Sequence, residues 1–168
     1  MRHSGPMVRK SAFAPVVDAR TRVLILGSLP GEASLAAGQY YAHPRNQFWH
    51  LVGKVIGQDL ARQSYPDRLD ILRGAAIGLW DTIAQARRDG SLDSAIRDAE
   101  HAPLAELVSA LPGLRAVAFN GNKAWTVGAP QLADCGVEPV ALPSSSPAYA
   151  AMRKDEKEAR WMVLRNYL

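Results

Sequence analysis

Four short apolar runs punctuate the chain, at residues 22–27, 75–80, 115–120 and 137–142. The first, Arg22-Val23-Leu24-Ile25-Leu26-Gly27, carries no polar side chain between its ends, as expected of a strand covered on both faces of a parallel sheet. Between the runs the apolar spacing lengthens to the helical period. Phe48, Leu51, Val52, Val55 and Ile56 recur at i, i+3, i+4, i+7 and i+8, predicting a helix with Pro44 in its first turn and Gly57 as its stop. Leu104, Leu107, Val108 and Leu111 form a second stripe, opened by Pro103 and ended by Pro112-Gly113. A third helix is expected from Asn122 or Lys123 towards Asp134, made irregular by Gly128 and Pro130. A last helix, near Asp155 to Tyr167, turns Trp161, Leu164 and Leu168 inward.

Strands alternating with helices predict an α/β fold, here a three-layer α/β/α sandwich around a four-stranded parallel sheet. Residues 21–168 read as a single domain, residues 1–20 as a loosely ordered arm, and the polar stretch 85–99 as a long loop. Ligands of open α/β sheets bind outside the carboxyl ends of the strands. Three segments fall there: residues 27–31, Asn120-Gly121-Asn122, and residues 143–149.

Composition narrows the chemistry. At 168 residues, 48% hydrophobic and 21% charged, the chain has the make-up of an ordinary globular protein. One cysteine, Cys135, excludes an intramolecular disulfide framework and a four-cysteine metal or iron–sulfur site built by one chain. No run approaches the roughly 20 apolar residues of a membrane helix, and the start lacks the apolar core of a signal peptide. The expectation is a soluble, cytoplasmic monomer with no membrane partner. The net charge of +4 is compatible with a polyanionic partner and equally with simple solubility.

The site segments are more distinctive. Gly27-Ser28-Leu29-Pro30-Gly31 is a glycine-flanked turn whose backbone N–H groups can approach a ligand closely. It is followed by Tyr40-Tyr41-Ala42-His43-Pro44-Arg45-Asn46-Gln47-Phe48-Trp49, which sets two tyrosines, a histidine and an asparagine around a helix start. Leu79-Trp80-Asp81 and Phe119-Asn120-Gly121 end two of the strands, and Leu142-Pro143-Ser144-Ser145-Ser146-Pro147-Ala148-Tyr149 follows the last. No Gly-x-Ser-x-Gly elbow accompanies these serines, and no base stands beside them in sequence, so a serine hydrolase is not indicated.

In this order the five segments resemble the uracil-DNA glycosylase superfamily, and most closely its hypoxanthine-DNA glycosylase branch. The likeness spans roughly residues 21–166. One departure is informative: Leu29 stands where the uracil and thymine enzymes carry an asparagine or aspartate, and leucine has neither donor nor acceptor. That substitution is itself a feature of the hypoxanthine branch.

The resemblance implies a monofunctional DNA N-glycosylase, without metal or organic cofactor, that flips a deaminated base out of DNA and leaves an abasic site. The base is expected to be hypoxanthine, with uracil and xanthine as alternatives. Ser28, Leu29, Pro30, Gly31, Tyr41 and His43 are the expected base-binding residues, Tyr41 as the stacking ring or else a packed core tyrosine. Asn46 and Asn120 are the candidate catalytic amides, which would hold the base or orient water where charge develops. A helix-start role for Asn46 and a turn role for Asn120 remain the structural alternatives. Ser144, Ser145, Ser146, Pro147, Ala148 and Tyr149 suit phosphate contact and a wedge in the base stack, with Arg153 and Lys154 as adjoining phosphate contacts. The other C-terminal cations, Lys157, Arg160 and Arg165, read as a solvated helix face, and Asp81 as a strand-end cap, with ordering of the site as the alternative. Two rivals remain: a DNA-binding module of the same fold without catalysis, and a nucleosidase-like protein acting on free nucleosides.

Overall fold

In the computed structural model, which describes residues 8–11, 13–88 and 96–168, strand β2 (Val23–Gly27) is buried along its whole length. It pairs in parallel with β3 (Ile77–Asp81) on one side and β6 (Ala116–Asn120) on the other, and β6 pairs with β7 (Glu138–Leu142). The order β3-β2-β6-β7 is the expected four-stranded parallel sheet.

Alternation along the strands builds the two outer layers. Val23 and Ile25 of β2 and Ala116 and Ala118 of β6 face one core. That core is completed by α2 (Phe48–Ile56), α3 (Tyr65–Gly74), α6 (Lys154–Trp161) and the 3-10 turn Met162–Tyr167. Leu24, Leu26, Val117 and Phe119 face the opposite core, against α4 (Leu104–Ser109) and α5 (Asn122–Gly128) with the 3-10 turn Ala129–Leu132. One sheet sandwiched between two helical layers follows from the period-2 projection of side chains from strands buried on both faces.

Several boundaries differ from the sequence expectation. Pro44 does not enter α2; the helix starts at Phe48, whose N–H is taken by the Asn46 side chain at 2.9 Å. Gly57 stops it in the left-handed conformation, φ 73°. A short α1 (Glu32–Ala37) and α3 were not anticipated, although Ser64 caps α3 by accepting from the Asp67 N–H and Pro66 sits in its first turn.

The stretch 85–99, read as a loop, instead contributes to two strands, β4 (Ile83–Arg88) and β5 (Ile96–His101), with residues 89–95 outside the described residues. They pair antiparallel, and β1 (Val8–Ser11) adds to β4, giving a sheet of order β1-β4-β5. The sequence of this ribbon lacks the apolar alternation that marks a half-buried strand. Within the stretch read as an arm, Val16 exchanges two backbone hydrogen bonds with Leu79 at 2.9 Å each, along the outer edge of β3. At the opposite edge of the sheet, β7 carries Pro139.

Candidate active site

A cavity of about 710 Å³ opens at the carboxyl ends of β2, β3 and β6. Its walls contain every expected base-binding and catalytic residue, from Ser28 to Gly31, Tyr41, His43, Asn46 and Asn120, together with the loop Ser144–Tyr149. Arg153 and Lys154 lie outside it, on an adjoining cavity.

The turn after β2 is held by the neighbouring strand end: Thr82 N–H donates to the Gly27 carbonyl at 2.8 Å and Ile83 N–H to the Ser28 carbonyl at 3.0 Å. Leu29 is buried against Ile83 and Val127, so the residue that departs from the uracil-enzyme pattern serves in part as packing. Gly27 is required by close approach. A Cβ there would stand 2.8 Å from Asp81 Oδ1 and 3.0 Å from the Tyr41 hydroxyl.

Tyr41 adopts a left-handed backbone, φ 54°, which is costly for a residue with a bulky side chain. Its ring stacks on Phe48 with centroids 3.9 Å apart and planes 10° from parallel. Phe48 in turn meets Trp161 edge-on at 5.7 Å. The tyrosine is thus a half-buried plate backed by core aromatics, and it is also part of the cavity wall.

Asn46 has one engaged end and one open one. Its Oδ1 accepts the Phe48 N–H, which orients the carboxamide, and among the described residues nothing takes a hydrogen bond from its Nδ2. His43 accepts the Arg45 N–H on Nδ1 at 3.1 Å, so in the neutral ring the proton sits on Nε2.

Asn120 has a different place. Its Nδ2 donates to Ser145 Oγ at 2.8 Å and its Oδ1 accepts the Ser145 N–H at 2.9 Å. Ser145 is 1% exposed and its carbonyl accepts the Gln47 N–H at 2.9 Å. The amide at the end of β6 therefore clamps the serine loop, and that loop is pinned to the residue after Asn46. Ser144 Oγ accepts the Ser146 N–H and Ser146 Oγ accepts the Ala148 N–H, both at 3.1 Å, leaving the hydroxyl protons available to an outside acceptor. Tyr149, at the end of the loop, is 40% exposed.

Gly121 fits its place for a backbone reason: φ is 97°, and a Cβ would lie 3.1 Å from Ser144 Cβ. Gly121→Ala is expected to cost about 1–3 kcal/mol, read by denaturant unfolding, and to displace the serine loop. An unchanged unfolding midpoint would show that the contact is relieved without cost.

Two residues are placed differently from their first sequence reading. Asp81, expected as a strand cap, is 4% exposed and lines the cavity. Burial raises the pKa of neighbouring Tyr40 far above the ordinary phenol value, and the charge of Asp81 adds to that rise. Lys157, expected on a solvated face, is 2% exposed and donates to Gln47 Oε1 and the Tyr149 carbonyl. Arg165 also departs from that reading, donating to the Val55 and Lys54 carbonyls at the end of α2. The signal for Lys157 was its position one helical turn before Trp161, on the buried stripe. That for Asp81 was an acid closing an apolar strand at the binding edge. Among the described residues no three His, Cys, Asp or Glu side chains are grouped to hold a metal ion, and no helix is long and apolar enough to cross a membrane.

The sequence profile of the uracil DNA glycosylase superfamily matches residues 14–166. Two proteins named hypoxanthine DNA glycosylase are each 42% identical to this chain. The one from Methanosarcina barkeri aligns over 89% of this chain and 94% of its own length, the one from Methanosarcina acetivorans over 90% and 95%. A solution NMR structure from Methanosarcina acetivorans, provisionally described as a uracil DNA glycosylase, superposes with a TM-score of 0.86 at 40% identity, covering 95% of this chain and 99% of that one. With the cavity at the sheet edge, these likenesses place the protein among the DNA glycosylases, hydrolases of N-glycosyl bonds. Within that class, the chain belongs to the uracil DNA glycosylase superfamily.

Proposed function

We propose that the protein removes hypoxanthine from DNA, acting as a monomer inside the cell through a single domain spanning residues 21–168. The observation that carries this reading is the open Nδ2 of Asn46, fixed by its own helix-start bond at a cavity walled by the Tyr41 ring. A base within a duplex is out of reach, so the nucleotide must rotate out of the stack. The Tyr41 ring is a plate for its face, and stacking of this kind is worth about 1–3 kcal/mol per base.

Breaking the N-glycosidic bond leaves positive charge on the sugar and negative charge on the departing base. Asn46 Nδ2 donates to the base at an oxygen where that charge accumulates, favouring the transition state over the bound substrate. Leu29 offers nothing to activate water, so stabilisation of the leaving purine carries the barrier and water captures the sugar afterwards. Asn120 serves by holding the serine loop. The loop's hydroxyls and N–H groups meet phosphate, with Arg153 and Lys154 beside them, and the exposed Tyr149 enters the stack.

The test is base release from duplexes carrying one hypoxanthine, uracil or xanthine, read as alkali-sensitive breaks under single-turnover conditions. Breaks at hypoxanthine in excess of the other two are the expected result. Breaks mainly at uracil would overturn the base assignment. Damage-dependent binding without breaks would favour the non-catalytic reading, which the apolar Leu29 supports.

A further inference from the structure

The antiparallel ribbon β1-β4-β5 lies apart from the residues assigned to the chemistry, and its composition is unlike that of the parallel sheet. Its strands carry Arg9, Lys10, Arg87, Arg88 and Arg97 against Asp98 and Glu100, so most of the chain's net charge of +4 falls within them. The register sorts these charges. Arg9 pairs with Arg87, and Arg87 pairs with Arg97, so three arginines occupy one row across the three strands and share one face of the ribbon. Glu100 belongs to a different row, opposite Gln85, and Arg88 to the row it forms with Val8 and Ile96. Like charges directly opposite one another on adjacent strands destabilise a sheet. The arginine row therefore opposes the pairing that assembles it, and an anion laid across it removes the opposition.

The place of the ribbon in the fold says which anion. β4 begins at Ile83, just after β3 ends at Asp81, and the Ile83 N–H donates to the Ser28 carbonyl in the turn that walls the base cavity. The returning strand β5 is fastened at the same root, where the Ala102 N–H donates to the Thr82 carbonyl at 2.9 Å. β3 is one edge of the parallel sheet, and β7, the other edge, runs into the serine loop. The ribbon and the serine loop thus leave the sheet from opposite edges at its carboxyl end. From Ile83 to Arg87 an extended strand runs about 14 Å, which duplex DNA covers in about four base pairs. The row spans two strand spacings, about 10 Å, over which a duplex presents several phosphates.

We propose that the β1-β4-β5 ribbon, with Arg9, Arg87 and Arg97 brought into one row by its register, is a second DNA-contacting surface that holds undamaged duplex about four or more base pairs to one side of the lesion. This goes beyond the base pocket and does not depend on which base the pocket takes. The contact is to the backbone and reads no sequence. It lengthens the footprint on one side only, the side away from the serine loop, and it acts on binding, not on bond breaking.

The test compares the wild type with the triple variant Arg9→Gln, Arg87→Gln, Arg97→Gln on duplexes carrying one 2′-fluorinated deoxyinosine, which resists base loss. One arm of the duplex is shortened stepwise while the other is kept long, and then the reverse. Wild-type binding is expected to weaken about tenfold when one particular arm is cut to about four base pairs, and far less when the other is. The triple variant should bind the long duplex as weakly as the wild type binds the short one, and no longer sense that arm. Its salt slope, on damaged and undamaged duplex alike, should fall by about 2–3, while single-turnover base release at saturating protein keeps the wild-type rate. A variant with the wild-type slope, or one that senses both arms as the wild type does, would overturn the proposal. Relief of like charge predicts an unfolding midpoint no lower than that of the wild type; if the triple variant does not fold, Arg87→Gln alone, at the middle of the row, must lower the slope by about 1. Absence of base release from hypoxanthine duplexes would remove the base assignment and leave the slopes on undamaged duplex to decide the role of the ribbon.

Discussion

Asn46→Ala is expected to slow single-turnover release of hypoxanthine by about 100- to 1,000-fold, the loss that follows removal of one preorganised donor to developing negative charge. Alanine removes two things at once, because Asn46 Oδ1 also accepts the Phe48 N–H at the start of α2. Loss of that bond is worth about 1 kcal/mol of stability and lowers the unfolding midpoint without touching chemistry. Asn46→Asp separates the two. Aspartate keeps the acceptor for Phe48, so stability is retained, but it has no N–H to offer the base. Activity as low as that of the alanine variant, with a wild-type midpoint, is the expected result. An aspartate enzyme as fast as wild type would reduce Asn46 to a helix-start residue and leave the leaving group without its donor.

Trp161→Ala is expected to destabilise the fold by about 3–5 kcal/mol, read as a shift in the urea midpoint. The indole is wholly buried between α2 and the sheet, edge-on to Phe48 at 5.7 Å, and its Nε1 donates to the Pro143 carbonyl at 3.0 Å. Truncation opens a cavity behind the Phe48–Tyr41 stack and removes the hydrogen bond to the Pro143 carbonyl at the base of the serine loop. Trp161→Phe keeps a ring against Phe48 while losing the donor, so its smaller cost isolates the Pro143 bond. A midpoint unchanged by alanine would mean that the core closes over the gap.

The parts of the fold legible in the sequence were those whose burial is complete. A strand covered on both faces must be apolar along its length, and 23–27 and 116–119 are, so the two central strands could be read directly. Elements whose buried stripe is thin were missed. In α3 only Leu72 is fully buried, and Tyr65, Leu69 and Ile71 pack partly, so its stripe is diluted by Asp67, Arg68, Asp70 and Arg73. The β4–β5 ribbon is defined by backbone pairing between polar sequences, which no side-chain periodicity announces.

At the site, residue types in order along the chain were enough to bring Tyr41, His43, Asn46, Asn120 and the serine loop to one cavity. What the order did not give was division of labour. That Asn120 holds Ser145 with both ends of its amide, while Asn46 keeps one end open, depends on rotamers set by the packed loop. Lys157 was misplaced because an alternating run of acids and bases on a helix resembles a solvated face, whatever one member does.

The two borders of the parallel sheet bear on how this protein behaves in company. On the β3 side, Val16 occupies the backbone groups of Leu79, and on the β7 side Pro139 lacks an N–H to donate. A bare strand border is a template for sheet-to-sheet aggregation, and blocked borders of this kind suppress it. An enzyme acting on DNA is concentrated locally by its own substrate, alongside other copies of itself. At Leu79 and Pro139 such crowding brings the copies together without offering those positions of the parallel sheet to another strand.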